Sequence, residues 1–234
     1  MRINIKTIVA ALTLAACGLS CQAGADAINK VIPAPALDTP VAEATGQQTA
    51  VLAGGCFWGL QGMFEHVQGV TKVVAGYSGG AKATAHYEMV GTERTGHAES
   101  VEITFDPTKI SYGQLLRLYF AIAHDPTELD RQGPDTGNSY RSEIFFATPT
   151  QERVARAYVA QLTKEKVFDG RIVTKIEPMK GFYPAEGYHQ DFLIHNPTYP
   201  YIVFNDLPKI AHLKRLFPDY YRGQPVTVKD VVSR

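Results

Sequence analysis

The chain predicts an α+β fold built on a split βαβ core, and three observations lead there. Between Val51 and Ala147, short apolar runs and helical periodicities follow in the order strand, helix, strand, strand, helix, strand. Ser100, Glu102 and Thr104 alternate with Val101, Ile103 and Phe105, the two-residue period of a strand with one buried face. Finally, 234 residues at 45% hydrophobic suit one compact domain with appendages rather than two domains.

At the N-terminus, Arg2 and Lys6 precede the apolar run Ile8 to Ala16, which is too short for a permanent membrane span and suits a signal peptide. Two processing sites compete. Leu14-Ala15-Ala16-Cys17 resembles a lipobox, which would put lipid on Cys17, and Ala23-Gly24-Ala25 resembles an ordinary site cleaved after Ala25. Residues 1–25 are therefore read as an export signal, 26–48 as a flexible linker rich in Ala, Pro, Thr, Glu and Gln, and 49–234 as the folded domain.

Val51-Leu52-Ala53 ends the first strand, and Leu60, Met63, Phe64 and Val67 set a helix over Phe57 to Gln68 that Gly69 stops. Val70 to Tyr77 is a valine-rich strand, followed by a loop from Gly76 to Thr84. In the third strand the alternation puts Glu99 on the apolar face. A carboxyl there is costly to ionise, so its pKa should rise. Ser111 to Ala123 carries the broad apolar face of a helix. The polar stretch His124 to Arg141 holds two glycines and two prolines, and connections this long inside a domain are usually functional, so Arg131 to Asp135 and Asn138 to Arg141 are site candidates. After a strand from Glu143 to Ala147, Thr148-Pro149-Thr150-Gln151 opens a helix to about Lys166. A strand from Arg171 to Glu177, a short segment Pro184 to Leu193 and a helix from Leu207 to Phe217 complete the chain.

Cys56 falls where the first strand meets the first helix, after Gly54-Gly55 and before Phe57-Trp58-Gly59. Free N–H groups and the helix dipole at that point favour a thiolate, and Phe57 with Trp58 could wall an apolar pocket beside the sulfur. Lys+Arg and Asp+Glu balance at 23 each, which disfavours nucleic acid as a partner. The three cysteines, Cys17, Cys21 and Cys56, make neither a disulfide framework nor paired zinc spacing, and no H-E-x-x-H occurs, so no metal is expected.

Together with Gly76-Tyr77-Ser78-Gly79-Gly80, Thr95-Gly96-His97-Ala98-Glu99, Gln132-Gly133 and Tyr140-Arg141-Ser142, the Cys56 motif resembles the A-type peptide methionine sulfoxide reductases, over about Thr49 to Leu216. The resemblance implies a two-layer α+β sandwich with a ferredoxin-like core, its mixed sheet packed by helices. It also implies reduction of the S epimer of methionine sulfoxide, in proteins and in free form, with oxidative-stress repair as the role. Cys56 would be the nucleophile, Glu99 the proton donor, Tyr87 and Tyr140 the hydroxyls on the sulfoxide oxygen, and Phe57, Trp58 and Asp135 further pocket residues. A Cys56 sulfenic acid would form and be reduced without a bound cofactor by an external thiol, from a thioredoxin-like or glutaredoxin-like protein or from dithiothreitol. A monomer acting on oxidised proteins in the periplasm, or as a bacterial envelope lipoprotein anchored through Cys17, is expected. The chain departs from the family pattern after His195-Asn196-Pro197: where many relatives carry a resolving cysteine it reads Thr198-Tyr199-Pro200-Tyr201, with no cysteine thereafter. Cys21, retained if Cys17 is lipidated, could then reach Cys56 along the linker.

Two other readings compete. Gly76-Tyr77-Ser78-Gly79-Gly80 matches the nucleophile elbow of serine hydrolases, although no strong helix opens after it. A non-catalytic peptide-binding lipoprotein is the other, and it would leave the Cys56 thiol unperturbed.

Overall fold

A computed structural model describes residues 30–39 and 46–228. Cys17, Cys21 and both processing sites lie outside them. The elements are β1 (Gln48–Ala53), α1 (Phe57–Glu65), β2 (Val70–Ser78), a short α2 (Tyr87–Val90), β3 (Ala98–Phe105) and α3 (Tyr112–Leu118). There follow β4 (Arg131–Gln132), β5 (Asp135–Thr136), β6 (Glu143–Phe146), α4 (Pro149–Lys164), β7 (Lys175–Pro178), β8 (Phe182–Pro184), α5 (Phe192–His195) and α6 (Leu207–Leu216).

Six strands form one sheet in the order β7-β6-β1-β3-β2-β8, antiparallel throughout except for the parallel β6–β7 pair. Its middle, β6-β1-β3-β2, is the strand order of a split βαβ core, and the fold is the expected α+β class with a mixed sheet packed by helices. β7 and β8 extend it at the two edges.

Side-chain alternation decides what each strand buries. Ala50 and Leu52 of β1 join Val101, Ile103 and Phe105 of β3 in the main core, under Leu60, Met63 and Phe64 of α1 and Leu115, Leu116 and Leu118 of α3. Val51 and Ala53 face the other way, where they meet Ala98 and Phe145 in a smaller cluster.

The helix starts follow from the local sequence. Ser111 caps α3 in a box with Gln114, and Thr148 Oγ accepts from the Gln151 N–H at 3.2 Å, with Pro149 in the first turn of α4. The α3 helix ends at Leu118, and its predicted last turn, Tyr119–Ala123, is wound as a π-helix. The connection after it is not structureless: β4 and β5 form a small hairpin within it. Two elements the pattern did not separate are α2, four residues long, and β8, three residues long.

The expected flexible linker is corrected in its described part. Ile32 is 1% exposed and belongs to the main core. The Ile32 carbonyl accepts from Arg117, that of Pro33 from the Tyr158 hydroxyl, and that of Ala34 from Gln161. Asp38 reaches the start of α3, accepting from the Gly113 N–H at 2.8 Å and from the Ser111 hydroxyl. Residues 30–39 are a strap across α3 and α4, because Pro, Ala and Thr leave backbone carbonyls accessible to donors that the helices supply.

Replacing Ile32 with Ala should lower the unfolding free energy by about 2–5 kcal/mol in urea titrations, the range for a large buried aliphatic residue. An unchanged midpoint would mean that the strap is not part of the folding unit.

Candidate active site

The residues around Cys56 are brought together by close backbone approach. Gly54 lies so near His124 that a Cβ would sit 2.8 Å from its ring, and Gly55, at φ +89°, would place one 2.7 Å from Gln132. The Gly55 N–H donates to the Tyr140 carbonyl at 3.2 Å. Tyr119 donates to the Ala53 carbonyl at 2.6 Å, and His124 Nε2 is 2.7 Å from Ser142 Oγ. Burial drives the His124 pKa down to about 3, so this ring is a neutral structural strut. Gln132 ties the following loop by bonding both the N–H and the carbonyl of Asp125.

Cys56 is the N-cap of α1 and is partly exposed. Glu99 lies 3% exposed on the apolar face of β3, and its Oε2 accepts from the Phe57 N–H at 3.0 Å. Burial raises the Glu99 pKa to about 8; the Phe57 N–H opposes the rise, and the charges of Asp135 and Glu93 add to it. The carboxyl is therefore largely protonated at neutral pH, as the strand parity predicted.

The expected Cys56 thiolate is corrected. Burial pushes this thiol well above its ordinary range, and the carboxyls of Glu99, Asp206 and Asp135 add to the push. A hydrogen bond from the Trp58 backbone N–H pulls the other way and is too weak to win. At rest the site pairs a thiol with a carboxylic acid.

Tyr87 and Tyr140 face the same group. Burial is the main cause that raises both phenols, followed by the charge of Glu99, with Cys56 also contributing to each. Phe57 is fully buried against Tyr77 and His189, with ring centroids 5.8 Å and 5.0 Å apart. Trp58 stacks on Phe192 at 3.8 Å and donates its indole N–H to His189 Nδ1 at 3.1 Å. That bond identifies Nδ1 as the unprotonated nitrogen of a neutral ring, consistent with a His189 pKa lowered by burial. Asp135 is half-buried on β5 and accepts from the Tyr201 hydroxyl. Cys56 and the six residues singled out around it thus converge on one site.

Of the other candidates, Arg141 is structural: it pairs with Glu143 at 2.5 Å and donates to the Asn138 and Gly96 carbonyls. Ser78, at the centre of the supposed nucleophile elbow, is fully buried and donates to the Gly181 carbonyl at 3.0 Å, with no histidine base on it. Several residues at the site escaped the sequence. Tyr201 and His189 reach it from the far end of the chain, and Glu186 accepts from both the Tyr77 hydroxyl and the Tyr87 N–H. Asp206, 0% exposed, presses onto Gly59 in the first turn of α1. Only the acidic-aromatic segment Pro184 to Leu193, which contains Glu186 and His189, hinted at any of them. Among the described residues no cluster of His, Cys, Asp or Glu has a metal-holding arrangement.

The profile of a family described as peptide methionine sulfoxide reductase matches residues 48–220. A peptide methionine sulfoxide reductase of Mesorhizobium japonicum is 63% identical over 185 residues, covering 79% of this chain and 95% of that protein. One from Synechocystis is 50% identical over 198 residues, covering 84% of this chain and 92% of its own length. Among solved structures, methionine sulfoxide reductase A of Corynebacterium diphtheriae superposes with a TM-score of 0.58 at 35% identity, covering 67% of this chain and 78% of that one.

Because folding raises the Glu99 pKa from 4.5 to about 8, the native state holds this proton more tightly than the unfolded chain. Its contribution to stability is complete below pH 4.5 and is lost as pH climbs from there to about 8. Glu99→Gln removes that loss, so the variant should be more stable than wild type at pH 7, by about 3 kcal/mol, and equal to it near pH 4. Parallel stability profiles for the two proteins would refute a protonated Glu99.

Proposed function

This chain belongs to the peptide methionine sulfoxide reductase family, A type, and from that premise we propose how its own residues reduce methionine sulfoxide in proteins. The observation that carries the reading is the buried Glu99 carboxyl, protonated near neutrality and held on the backbone N–H of the residue after Cys56. A sulfoxide oxygen leaves poorly until it is protonated. Glu99 donates that proton while the Tyr87 and Tyr140 hydroxyls hold the oxygen, and the Cys56 sulfur attacks the sulfoxide sulfur. The thiol proton replaces the one Glu99 gives up. The S–S bond made by that attack is transient: it breaks as the oxygen passes from the substrate sulfur to the Cys56 sulfur, so one S–O bond is broken and one is formed, and thiol and sulfoxide become sulfenic acid and thioether.

Phe57 and Trp58 form the wall for the substrate methyl, and aromatic faces suit a sulfur-bound methyl. Asp135 completes the pocket beside Cys56. A site that fixes the methyl on one side and the oxygen on another accepts one configuration at sulfur, in our reading the S epimer.

No cysteine follows Cys56 in the sequence, and in this reading an external thiol from a thioredoxin-like or glutaredoxin-like protein restores it, with Cys21, outside the described residues, the internal alternative. Cys56→Ser should abolish turnover of the S epimer, because a serine hydroxyl does not attack sulfur usefully at neutral pH. Glu99→Gln should slow single-turnover methionine release on the order of 10²-fold while dimedone still traps the wild-type sulfenic acid. Turnover by Cys56→Ser, or a wild-type rate in Glu99→Gln, would defeat the assignment.

We further propose export to the periplasm or the cell envelope, on the reading of residues 1–25. Wild-type protein expressed in a bacterium should take up labelled fatty acid, and Cys17→Ala should not. A mature protein starting at Asp26 would instead establish ordinary cleavage.

A further inference from the structure

Beside Cys56 lies a cleft of about 300 Å³ whose walls are the β4–β5 hairpin and the chain from Tyr201 to His212. Cys56 and Asp135 line it, but Glu99, Tyr87, Tyr140 and Trp58 do not. It therefore reaches Cys56 on a side that the acid and the two hydroxyls do not line. Its lining includes Phe204, 77% exposed, and Lys209. Lys209 is held by Asp206 at 3.1 Å with a side chain only 15% exposed. Asp206 is anchored on the first turn of α1 next to Cys56, and its Oδ2 has no hydrogen-bond partner although fully buried.

The proposed reduction leaves an S–OH bond on Cys56 whose oxygen lies among Glu99, Tyr87 and Tyr140. A sulfur nucleophile that breaks this bond must approach in line, from the side away from the departing oxygen. Among the described residues Cys56 is the only cysteine, and in the proposed reading the nucleophile comes from another molecule. Resting on that reading, we propose that this cleft is the entry for the reducing thiol, and that Lys209, held by Asp206, is the positioning residue that receives the incoming sulfur as a thiolate. An anion would otherwise meet the carboxylates of Glu128 and Asp135, both in the cleft wall, with Cys56, Tyr201 and His212 the other titratable groups there. The Lys209 charge already acts on Asp135 and Asp206.

The step balances. The thiol releases its proton to solvent, and the thiolate forms an S–S bond to Cys56. The S–O bond breaks, and the oxygen leaves as water with a proton from Glu99. A second thiol then reduces the mixed disulfide, so two thiols become a disulfide while Cys56 regains its thiol and Glu99 its proton.

The test separates the two half-reactions in the full-length protein. One equivalent of methionine sulfoxide is added without reductant and the methionine burst measured. Loss of sulfenic acid is then followed with 3-mercaptopropionate, 2-mercaptoethanol and cysteamine, which are anionic, neutral and cationic. Lys209→Met should keep the burst but slow the anionic thiol by about tenfold and the cationic one least, with Lys209→Arg restoring the rate. Asp206→Asn with Lys209→Met avoids an unpaired buried carboxylate and should show the same discrimination if the single variant folds poorly. Equal slowing of the three thiols, no slowing, or a burst lost in step with thiol reactivity would each overturn the proposal. A wild-type protein with no burst would instead refute the sulfoxide chemistry beneath it. With a dithiol protein as donor, Phe204→Ser slowing that protein but not the small thiols identifies a protein thiol, and equal rates identify a small one.

Discussion

The bond from the Phe57 N–H to Glu99 is the contact on which the site depends. It joins β3 to the first turn of α1 one residue beyond Cys56, so the strand that carries the acid and the helix that carries the sulfur cannot move independently. Two effects compete on that carboxyl. A helix N-terminus favours the anion, by about 0.3–1 kcal/mol in ordinary surface cases and up to about 2 when partly buried. Loss of water favours the acid, and here it wins: the pKa stands at about 8 despite the bond. Cys56 meets the same competition at the same helix end with the same result. The site therefore stores a proton in each partner, which suits a reaction whose net change is oxygen transfer without net proton uptake.

That arrangement requires backbone to pack against the site where side chains would normally stand. Gly54 admits His124, Gly55 admits Gln132, and Gly59 admits Asp206, whose Oδ1 would be 2.0 Å from a Cβ there. His124 and Gln132 come from the polar connection after α3, and Asp206 comes from the turn before α6. Two distant segments thus close on one strand–helix junction: His124 bonds Ser142, Gln132 bonds Asp125 and Asp206 pairs with Lys209, while Asp206 Oδ2 stays unpartnered.

Sequence pattern read the local physics well. The alternation in β3 put Glu99 on the core face, and the Thr148-to-Gln151 run predicted the start of α4 with its threonine cap. The strand order then followed from the element order. What pattern could not supply were facts about partners. Residues 30–39 look solvated by composition, yet their carbonyls are claimed by Arg117, Tyr158 and Gln161, which lie 85 to 127 residues away. The thiolate expectation failed for a similar reason. The helix terminus is visible in the local sequence, whereas the burial that dominates, and the carboxyls of Glu99, Asp206 and Asp135 that add to it, arise from elsewhere in the chain. Tyr201 escaped because nothing in Thr198-Tyr199-Pro200-Tyr201 signals that its hydroxyl will find Asp135.

The stretch that lacks a cysteine gives the site a second wall. Ile202, fully buried, begins a π-helical turn that ends at Asp206 and runs into α6. That turn sets Asp206 on Gly59, with Lys209 paired to it. With Cys56 the only thiol among the described residues, the site faces opposed demands at one sulfur. The oxygen side must exclude water so that Glu99 keeps its proton, and the other side must admit a second sulfur from outside. Burial of Glu99 meets the first demand, and in the proposed reading the cleft between the β4–β5 hairpin and α6 meets the second, so one cysteine faces both.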